Sequence, residues 1–185
     1  MANILIMATD GFEQSELLEP RKQLTEAGHV VHVATPKGAS IRGWDENDWG
    51  DTVEADLAID AVDPQDYAAL VLPGGQINPD KLRTNDTALG VIRAFADSGR
   101  TVAAICHAPW LLIEARLVEG REVTSFASIR TDLENAGARW VDRAVARDGG
   151  LVTSRDPDDL DAFCAAIDEA VGRGGTSAGQ RNEAA

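Results

Sequence analysis

Short apolar runs alternate with longer stretches of helical periodicity along most of the chain. Uninterrupted runs of aliphatic or small side chains lie at 4–8, 30–34, 68–72 and 101–105. Such runs are typical of strands that are buried on both faces of a sheet. Weaker strand patterns follow at 121–125, 140–147 and 151–154.

Helical patterns separate these strands. The sequence predicts helices from residue 12 to about 27, over 86–98 and 108–115, and from Pro157 to about 171. Pro20 lacks a backbone N–H group, so the first helix is expected to kink there or to begin late. Residues 36–56 are rich in Gly, Asp and Trp, and we expect them to form an excursion outside the core.

The alternation of strands and helices predicts an α/β fold with a mainly parallel sheet between two helical layers. In such folds, ligands bind beyond the carboxyl ends of the strands. Three strand ends are therefore the best candidates for a functional site, at 10–16, 74–80 and 106–109.

Length and composition fit one globular domain. The chain has 185 residues, of which 44% are apolar and 26% charged, which excludes a disordered chain or a disulfide scaffold. We expect a single domain over 1–172. Residues 173–185 are rich in Gly, Ser, Arg and Asn, and we expect them to form a mobile tail.

The charge balance is strongly acidic, with 17 Lys and Arg against 31 Asp and Glu, or −14 at pH 7. Such a field repels nucleic acid and anionic lipid, so neither is an expected partner. No run approaches the ~20 apolar residues that span a bilayer, and the first residues lack the basic region of a signal peptide. Two cysteines do not form a disulfide framework, and a reducing cytoplasm is the expected location.

Cys106 carries the clearest chemical signal. It follows the apolar run 101–105 directly and precedes a predicted helix, which places it on an abrupt turn from strand to helix. That turn raises a nucleophile above the sheet, directs backbone N–H groups at its target and favours the thiolate. The alternative, a buried cysteine that acts as a small apolar side chain, is equally compatible with the local sequence.

The other two strand ends carry weaker signals. The pair Gly74-Gly75 follows Pro73. Such a pair can allow a close approach of the backbone to another group, supply a backbone N–H donor to an oxyanion, or simply form a tight turn. Glu13 and Glu16 follow the first strand, where carboxylates also commonly complement a helix dipole at the surface.

Six motifs together resemble the ThiJ/PfpI superfamily, and specifically its intracellular protease I (PfpI) branch, over residues 3 to about 171. They are GFEQSEL, LVLPGG, NPDKLR, AAICHAP, TSFASIRTDLENAGARWVD and VTSRDPDDL. The resemblance implies a flavodoxin-like α/β/α sandwich, similar to class I glutamine amidotransferases.

The resemblance also implies a set of site residues. Cys106 is the implied nucleophile, with Glu16 beneath the thiol and the backbone N–H groups of Gly75 and His107 as the oxyanion hole. An acidic residue from a second subunit supports the histidine in this branch, and that position falls on Asp80, so a homodimer or larger homo-oligomer is expected. Many relatives carry Tyr or Trp near the site where this chain has Phe126.

Several reactions suit a thiolate beside an oxyanion hole. A glutamine amidotransferase is excluded, since its histidine lies well downstream of the cysteine and no histidine follows His107. The leading hypothesis, from the resemblance, is a stress-related enzyme of glyoxalase III or deglycase type that acts on small reactive carbonyls or their protein adducts. The alternatives are a PfpI-type cysteine peptidase, for which neighbouring Cys106 and His107 need not face one another, and a non-enzymatic redox sensor or holdase.

A charged Glu16 beside the thiol would raise the pKa of the thiol, whereas a protonated carboxyl would lower it by donating a hydrogen bond to the thiolate. We therefore expect Glu16 to hold its proton near neutrality. No metal or cofactor is expected: His29 and His32 cannot share a metal on one strand, and the segment 45–56 lacks the ligands of a calcium loop. Cys164 lies on the apolar stripe of the last predicted helix, which favours packing.

Overall fold

The computed structural model describes residues 1–177, and their side chains as far as residue 172. Its centre is a seven-stranded sheet. The strands of this sheet are β1 (Asn3–Met7), β3 (Val30–Thr35), β6 (Leu57–Ala58), β7 (Ala69–Leu72), β8 (Thr101–Ile105), β11 (Val145–Asp148) and β12 (Leu151–Ser154). Their order in the sheet is β11-β12-β8-β7-β1-β3-β6, and all neighbouring pairs are parallel except β11 and β12.

Helices cover both faces of this sheet. They are α1 (Gln14–Glu26), α2 (Ile77–Leu82), α3 (Asp86–Asp97), α4 (Pro109–Glu114), α5 (Arg130–Asn135) and α6 (Leu160–Ser177). Successive side chains of a strand point to opposite faces, so β1 contributes Leu5 to one core and Ile6 to the other. The first core includes apolar side chains of α3 and α4, and the second those of α1 and α6. This is the predicted flavodoxin-like α/β/α sandwich.

The predicted excursion 36–56 contains a β-hairpin. Its strands β4 (Ile41–Asp45) and β5 (Asp48–Val53) form a small sheet with β2 (Phe12–Glu13), a short strand that precedes α1. Most of its residues are exposed or half-buried, which explains why the sequence lacks the apolar runs that mark the central strands. A second small sheet pairs β9 (Glu122–Val123) with β10 (Arg139–Trp140).

Two local expectations are corrected. The first helix begins at Gln14 and runs through Pro20, so the alternative of a late start is wrong. The predicted strand 140–147 is two separate strands, β10 and β11, in different sheets. Helix α6 runs to Ser177, and residues 178–185 of the expected tail lie outside the described residues. No helix in the described part of the chain is long and apolar enough to cross a bilayer.

The strand order places a crevice beyond β1 and β7. Helix α1, which follows β1, packs on one face of the sheet, whereas α3, which follows β7, packs on the other. The chain therefore leaves two adjacent strands in opposite directions, and the gap between their ends is the usual ligand site of open parallel sheets. Cys106 follows β8, the other neighbour of β7, and so faces this gap.

Candidate active site

Backbone and side-chain hydrogen bonds join the loops beyond β1 and β7. The side chain of Asn78, fully buried in α2, accepts from the Thr9 N–H group (2.8 Å) and donates to the carbonyls of Pro73 (2.8 Å) and Gly74 (3.2 Å). Because a buried amide must be fully paired, these bonds fix the two loops relative to each other. Asn78 belongs to the quoted NPDKLR motif, but nothing in the sequence indicated this role.

Cys106 lies on the predicted sharp turn, with a φ of +63°. This left-handed conformation is rare outside glycine and costs on the order of 1–3 kcal/mol, so the surrounding structure must hold it. The Cys106 N–H group donates to the Ser154 carbonyl (3.1 Å), and the Cys106 carbonyl accepts from the Phe126 N–H group (2.9 Å). The thiol lines a cavity, although only 6% of the residue is exposed.

The Gly74-Gly75 turn allows a close approach of backbone to this thiol. A Cβ atom at Gly74 would lie 2.6 Å from Glu16 Oε2 and 2.7 Å from Cys106 Cβ. Gly75 has a φ of +76°, and a Cβ atom there would lie 2.5 Å from the Gly11 carbonyl oxygen. The backbone N–H groups of Gly75 and His107 both point to the Cys106 sulfur, where they favour the thiolate.

Glu16 is fully buried beneath the thiol, in the first turn of α1. Its Oε2 atom accepts a 2.7 Å hydrogen bond from the Gly74 N–H group, and the carboxyl also interacts with the Cys106 thiol. Oε1 has no hydrogen-bond partner among the described residues. Burial raises the pKa of Glu16 to about 8, against the smaller lowering effect of the Gly74 bond. A carboxyl with this pKa keeps its proton at neutral pH.

Burial also raises the pKa of the Cys106 thiol, and a charged Glu16 raises it further. The N–H groups of Gly75 and His107 act in the opposite direction. While Glu16 holds its proton, this like-charge repulsion is absent. The two groups interact directly and therefore titrate as one coupled pair.

The His107 side chain faces the thiol, so the two neighbours do meet across the turn. Nδ1 lies 3.2 Å from Cys106 Sγ, and Nε2 lies 3.1 Å from the hydroxyl of Ser128. The Phe126 ring stacks on the imidazole at 5.0 Å between centroids, and the Trp110 ring meets it edge-on at 5.3 Å. Burial lowers the pKa of His107, which favours the neutral ring.

Ser128 is a site residue that sequence reasoning missed. It lies at the surface in a single 3₁₀ turn, Ala127–Ile129, inside the quoted TSFASIRTDLENAGARWVD motif. A serine on an exposed turn does not contribute to any periodic pattern of apolar residues. The only sequence signal at this position was that Ser128 lies within the quoted motif.

These groups line an open cavity of about 480 Å³. Cys106, His107, Glu16 and Gly75 all contribute to its wall, together with two side chains of the β2/β4/β5 sheet, Glu13 and Trp44, and with Phe126. Burial raises the pKa of Glu13, and the negative charges of nearby Asp45 and Glu46 raise it by a smaller amount.

Asp80 is not brought to the site within one chain. It is exposed in the first turn of α2, a helix whose N-cap is Gln76. Within one chain, the outer ring nitrogen of His107 is paired with Ser128 and not with Asp80.

The remaining candidates belong to the packing of the fold. Cys164 lies in the α6 core, 4% exposed. His29 pairs with Asp168 (2.8 Å) and His32 with the Tyr67 hydroxyl (3.1 Å), so the two histidines have separate partners. Within residues 1–177, no group of three or more potential ligands is arranged to hold a metal ion.

The sequence matches the DJ-1/PfpI family over residues 2–170. It is 44% identical over 160 residues to a deglycase from Thermococcus kodakarensis, a match that covers 86% of this chain and 93% of the relative. It is 42% identical over 161 residues to YraA of Bacillus subtilis, described as a candidate cysteine protease, with 86% and 92% covered.

A solved structure is similar over the whole chain. It is a two-domain protein from Anabaena variabilis with a DJ-1/ThiJ/PfpI-like domain and a ferritin-like domain, and it superposes with a TM-score of 0.88 at 32% sequence identity. The match covers 100% of this chain and 52% of that protein.

Proposed function

Because the chain belongs to the DJ-1/PfpI family, as its motifs predicted, we propose that it is a cysteine-dependent enzyme of glyoxalase III or deglycase type. Its substrates are small α-oxoaldehydes or their adducts on proteins. One observation carries the proposal: the Cys106 thiol lies on a strained turn in an open cavity, between two backbone N–H groups and a protonated carboxyl. The deglycase name of a relative 44% identical in sequence supports the same reaction class.

The first step is addition of the Cys106 sulfur to the aldehyde carbon. A sulfur–carbon bond forms, the π electrons of the carbonyl move onto oxygen, and that oxygen takes a proton to give a hemithioacetal. The N–H groups of Gly75 and His107, which already point to the sulfur, are placed to stabilise the developing oxyanion.

The second step moves a proton within the adduct. For methylglyoxal, a proton leaves the former aldehyde carbon and another is added to the adjacent carbonyl carbon, which leaves a lactoyl thioester on Cys106. Water then hydrolyses the thioester to lactate and restores the thiol. Glu16 and His107 are the two groups at the sulfur that can carry this proton.

Purified protein with methylglyoxal tests the proposal. We expect consumption of the aldehyde and formation of lactate, both lost in Cys106→Ser. Cys164→Ser is the matched control, because that thiol lies in the α6 core and should leave turnover unchanged. Absence of turnover in the wild type, or equal turnover in Cys106→Ser, contradicts the proposal.

A peptidase is the second candidate, and the distance between Cys106 Sγ and His107 Nδ1 favours it. A hydrolase needs a base that takes the thiol proton and then returns one to the leaving amine, and at 3.2 Å His107 is within reach of the sulfur. Hydrolysis of a fluorogenic peptide panel that is lost in both Cys106→Ala and His107→Ala would favour this activity over carbonyl chemistry.

We also propose that the working unit is at least a homodimer in which Asp80 of one chain supports His107 of the other. The exposure of Asp80 on α2 supports this arrangement, as does the absence of a partner for its carboxylate among the described residues of its own chain. The idea rests on the family resemblance, and its test is given in the Discussion.

A further inference from the structure

The imidazole of His107 has a same-chain partner at each ring nitrogen. Nδ1 lies 3.2 Å from Cys106 Sγ and Nε2 lies 3.1 Å from Ser128 Oγ. A neutral imidazole carries one proton, so one nitrogen donates while the other accepts. Which nitrogen carries the proton decides whether His107 can act as a base toward the thiol.

The proton must lie on Nε2 for base catalysis. Nδ1 can take the thiol proton only if its lone pair is free, and then Nε2–H donates to the Ser128 hydroxyl oxygen. After the transfer, the imidazolium still donates from Nε2 to the same oxygen. Ser128 therefore accepts a hydrogen bond both before and after proton transfer, so its position need not change during the step.

The segment that carries Ser128 is fastened to the nucleophile. The Phe126 N–H group donates to the Cys106 carbonyl (2.9 Å), and the Ile129 N–H group donates to the Phe126 carbonyl (3.2 Å). Trp140 Nε1 donates to Ser125 Oγ (3.0 Å), which in turn donates to the Phe126 carbonyl (2.9 Å). These bonds set the position of residues 125–129 relative to the turn at Cys106.

Phe126 adds a second constraint on the ring. Its side chain stacks on the imidazole at an angle of 25°, which restricts rotation of His107 out of its plane. A hydrogen bond at Nε2 then fixes the orientation of the ring within its plane, that is, the directions in which the two nitrogens point. Without the Ser128 hydroxyl, no described group of this chain holds Nε2.

We propose that Ser128 is a positioning residue that holds His107 through Nε2 and keeps Nδ1 free to take the proton of the Cys106 thiol. This role rests on the proposed cysteine chemistry. Burial lowers the pKa of His107, which fits a neutral ring with a free lone pair on Nδ1.

Ser128→Ala, Ser128→Thr and the control Ser98→Ala test the proposal through activity. We expect Ser128→Ala to lower kcat/KM for methylglyoxal about tenfold, the effect of losing one hydrogen bond of about 1–1.5 kcal/mol. Ser128→Thr keeps a hydroxyl at an exposed position and should restore most of the activity. Ser98, whose hydroxyl donates to the Phe95 carbonyl at the end of α3, should leave kcat/KM unchanged when replaced.

The NMR signals of the His107 ring nitrogens give a second test, because they would not change if Ser128 only stabilised the fold. The chain has three histidines, so ¹⁵N-labelled histidine gives a simple spectrum in which His107→Gln identifies the signals of interest. We expect a protonated Nε2 with an observable N–H signal and an unprotonated Nδ1 in the wild type. Ser128→Ala should lose the N–H signal through exchange with water, and Ser128→Thr should retain it.

Two outcomes overturn the proposal. One is wild-type kcat/KM together with a retained Nε2–H signal in Ser128→Ala. The other is loss of that signal in Asp80→Asn but not in Ser128→Ala, which would assign the ring to the carboxylate of a second subunit alone. If wild-type protein does not turn over methylglyoxal, the proposed function fails, but the nitrogen signals still decide the role of Ser128.

Discussion

Glu16 is completely buried, although a glutamate side chain is charged at neutral pH in most folded proteins. Its pKa of about 8 means that, at neutral pH, the folded chain keeps a proton on the carboxyl next to the nucleophile. Two measurable properties depend on that proton, the stability of the fold and the ionisation of Cys106. Each gives a prediction at the scale of one residue.

The first prediction concerns the pH dependence of stability. Between pH 4.5, the ordinary pKa, and about 8, the folded chain holds a proton on Glu16 that the unfolded chain releases. The contribution of Glu16 to the free energy of unfolding is therefore fully present below pH 4.5 and is lost as the pH rises through 8. We expect this loss to be on the order of a few kcal/mol in the wild type and absent in Glu16→Gln.

Urea unfolding of both proteins at several pH values across this window measures the difference. Glu26→Gln, which alters an exposed carboxyl on the same helix, is the matched control and should follow the wild type. Parallel pH profiles for the wild type and Glu16→Gln would show that Glu16 is ionised in the folded chain.

The second prediction concerns the thiol. A protonated Glu16 donates to the thiolate, so Glu16→Leu should raise the pKa of Cys106, and Glu16→Gln, which keeps an N–H donor, should raise it less. Ultraviolet titration of the thiolate measures both shifts, and Cys164→Ser in each background removes the second cysteine signal. A fall in the pKa of Cys106 in Glu16→Leu contradicts the model of a protonated carboxyl.

At the scale of elements, the turn between β7 and α2 controls how closely backbone approaches the thiol. Gly74→Ala would place a Cβ atom 2.6 Å from Glu16 Oε2, 2.7 Å from Cys106 Cβ and 2.8 Å from the Ile105 carbonyl oxygen. The last two atoms belong to Cys106 and to the residue before it, so neither can move without displacing the nucleophile. We expect loss of nearly all turnover and destabilisation of about 1–3 kcal/mol.

Gly90→Ala is the matched control, since Gly90 lies within α3 and a Cβ atom there meets nothing within 4 Å. Alanine is the better helix former, so this variant should gain about 0.5–1 kcal/mol and keep its activity. Steady-state kinetics and urea unfolding of both variants measure these effects. Normal turnover in Gly74→Ala would mean that the turn can open without cost to the site.

The elements that the sequence predicted bury many apolar side chains, whereas those that it did not predict bury few. The strands β1, β7 and β8 are covered on both faces, so each appears in the sequence as an uninterrupted apolar run. Cys106 and Gly75 could be predicted as site residues because they follow the carboxyl ends of such strands. Helix α5 has only six residues and one buried side chain, Leu133, which is too few for a periodic signal. The roles of Asn78 and Ser128 depend on contacts between loops that are distant in sequence, which no local pattern encodes.

At the scale of the whole molecule, the parallel sheet brings the site together from three loops, but α2 directs Asp80 outward into solvent. The Ser128 hydroxyl accepts from His107 when Nε2 is protonated, and its own proton has no acceptor among the described residues. A carboxylate from a second copy of the chain would provide such an acceptor near the ring. This is the physical reason to test a shared site rather than a site complete in one chain.

The last prediction is complementation between two inactive variants. Cys106→Ala lacks the nucleophile, and Asp80→Ala lacks the proposed contribution to the neighbouring site, so each homodimer should have low activity. After subunit exchange, a mixed dimer has one complete site, in which Cys106 and His107 come from one chain and Asp80 from the other. Equal mixing should restore about a quarter of wild-type turnover, since about half of the dimers are mixed and each has one working site of two.

The two chains carry different tags, and mixed dimers are isolated before the assay by purification on both tags in turn. The matched control is the same exchange with Cys106→Ala and Glu16→Leu, which alter groups in the same site of one chain. Because no mixed dimer can then contain a complete site, turnover should stay at the level of the separate variants. If verified mixed dimers of Cys106→Ala and Asp80→Ala also gain nothing, Asp80 acts within its own chain or not at all, and Ser128 alone holds His107.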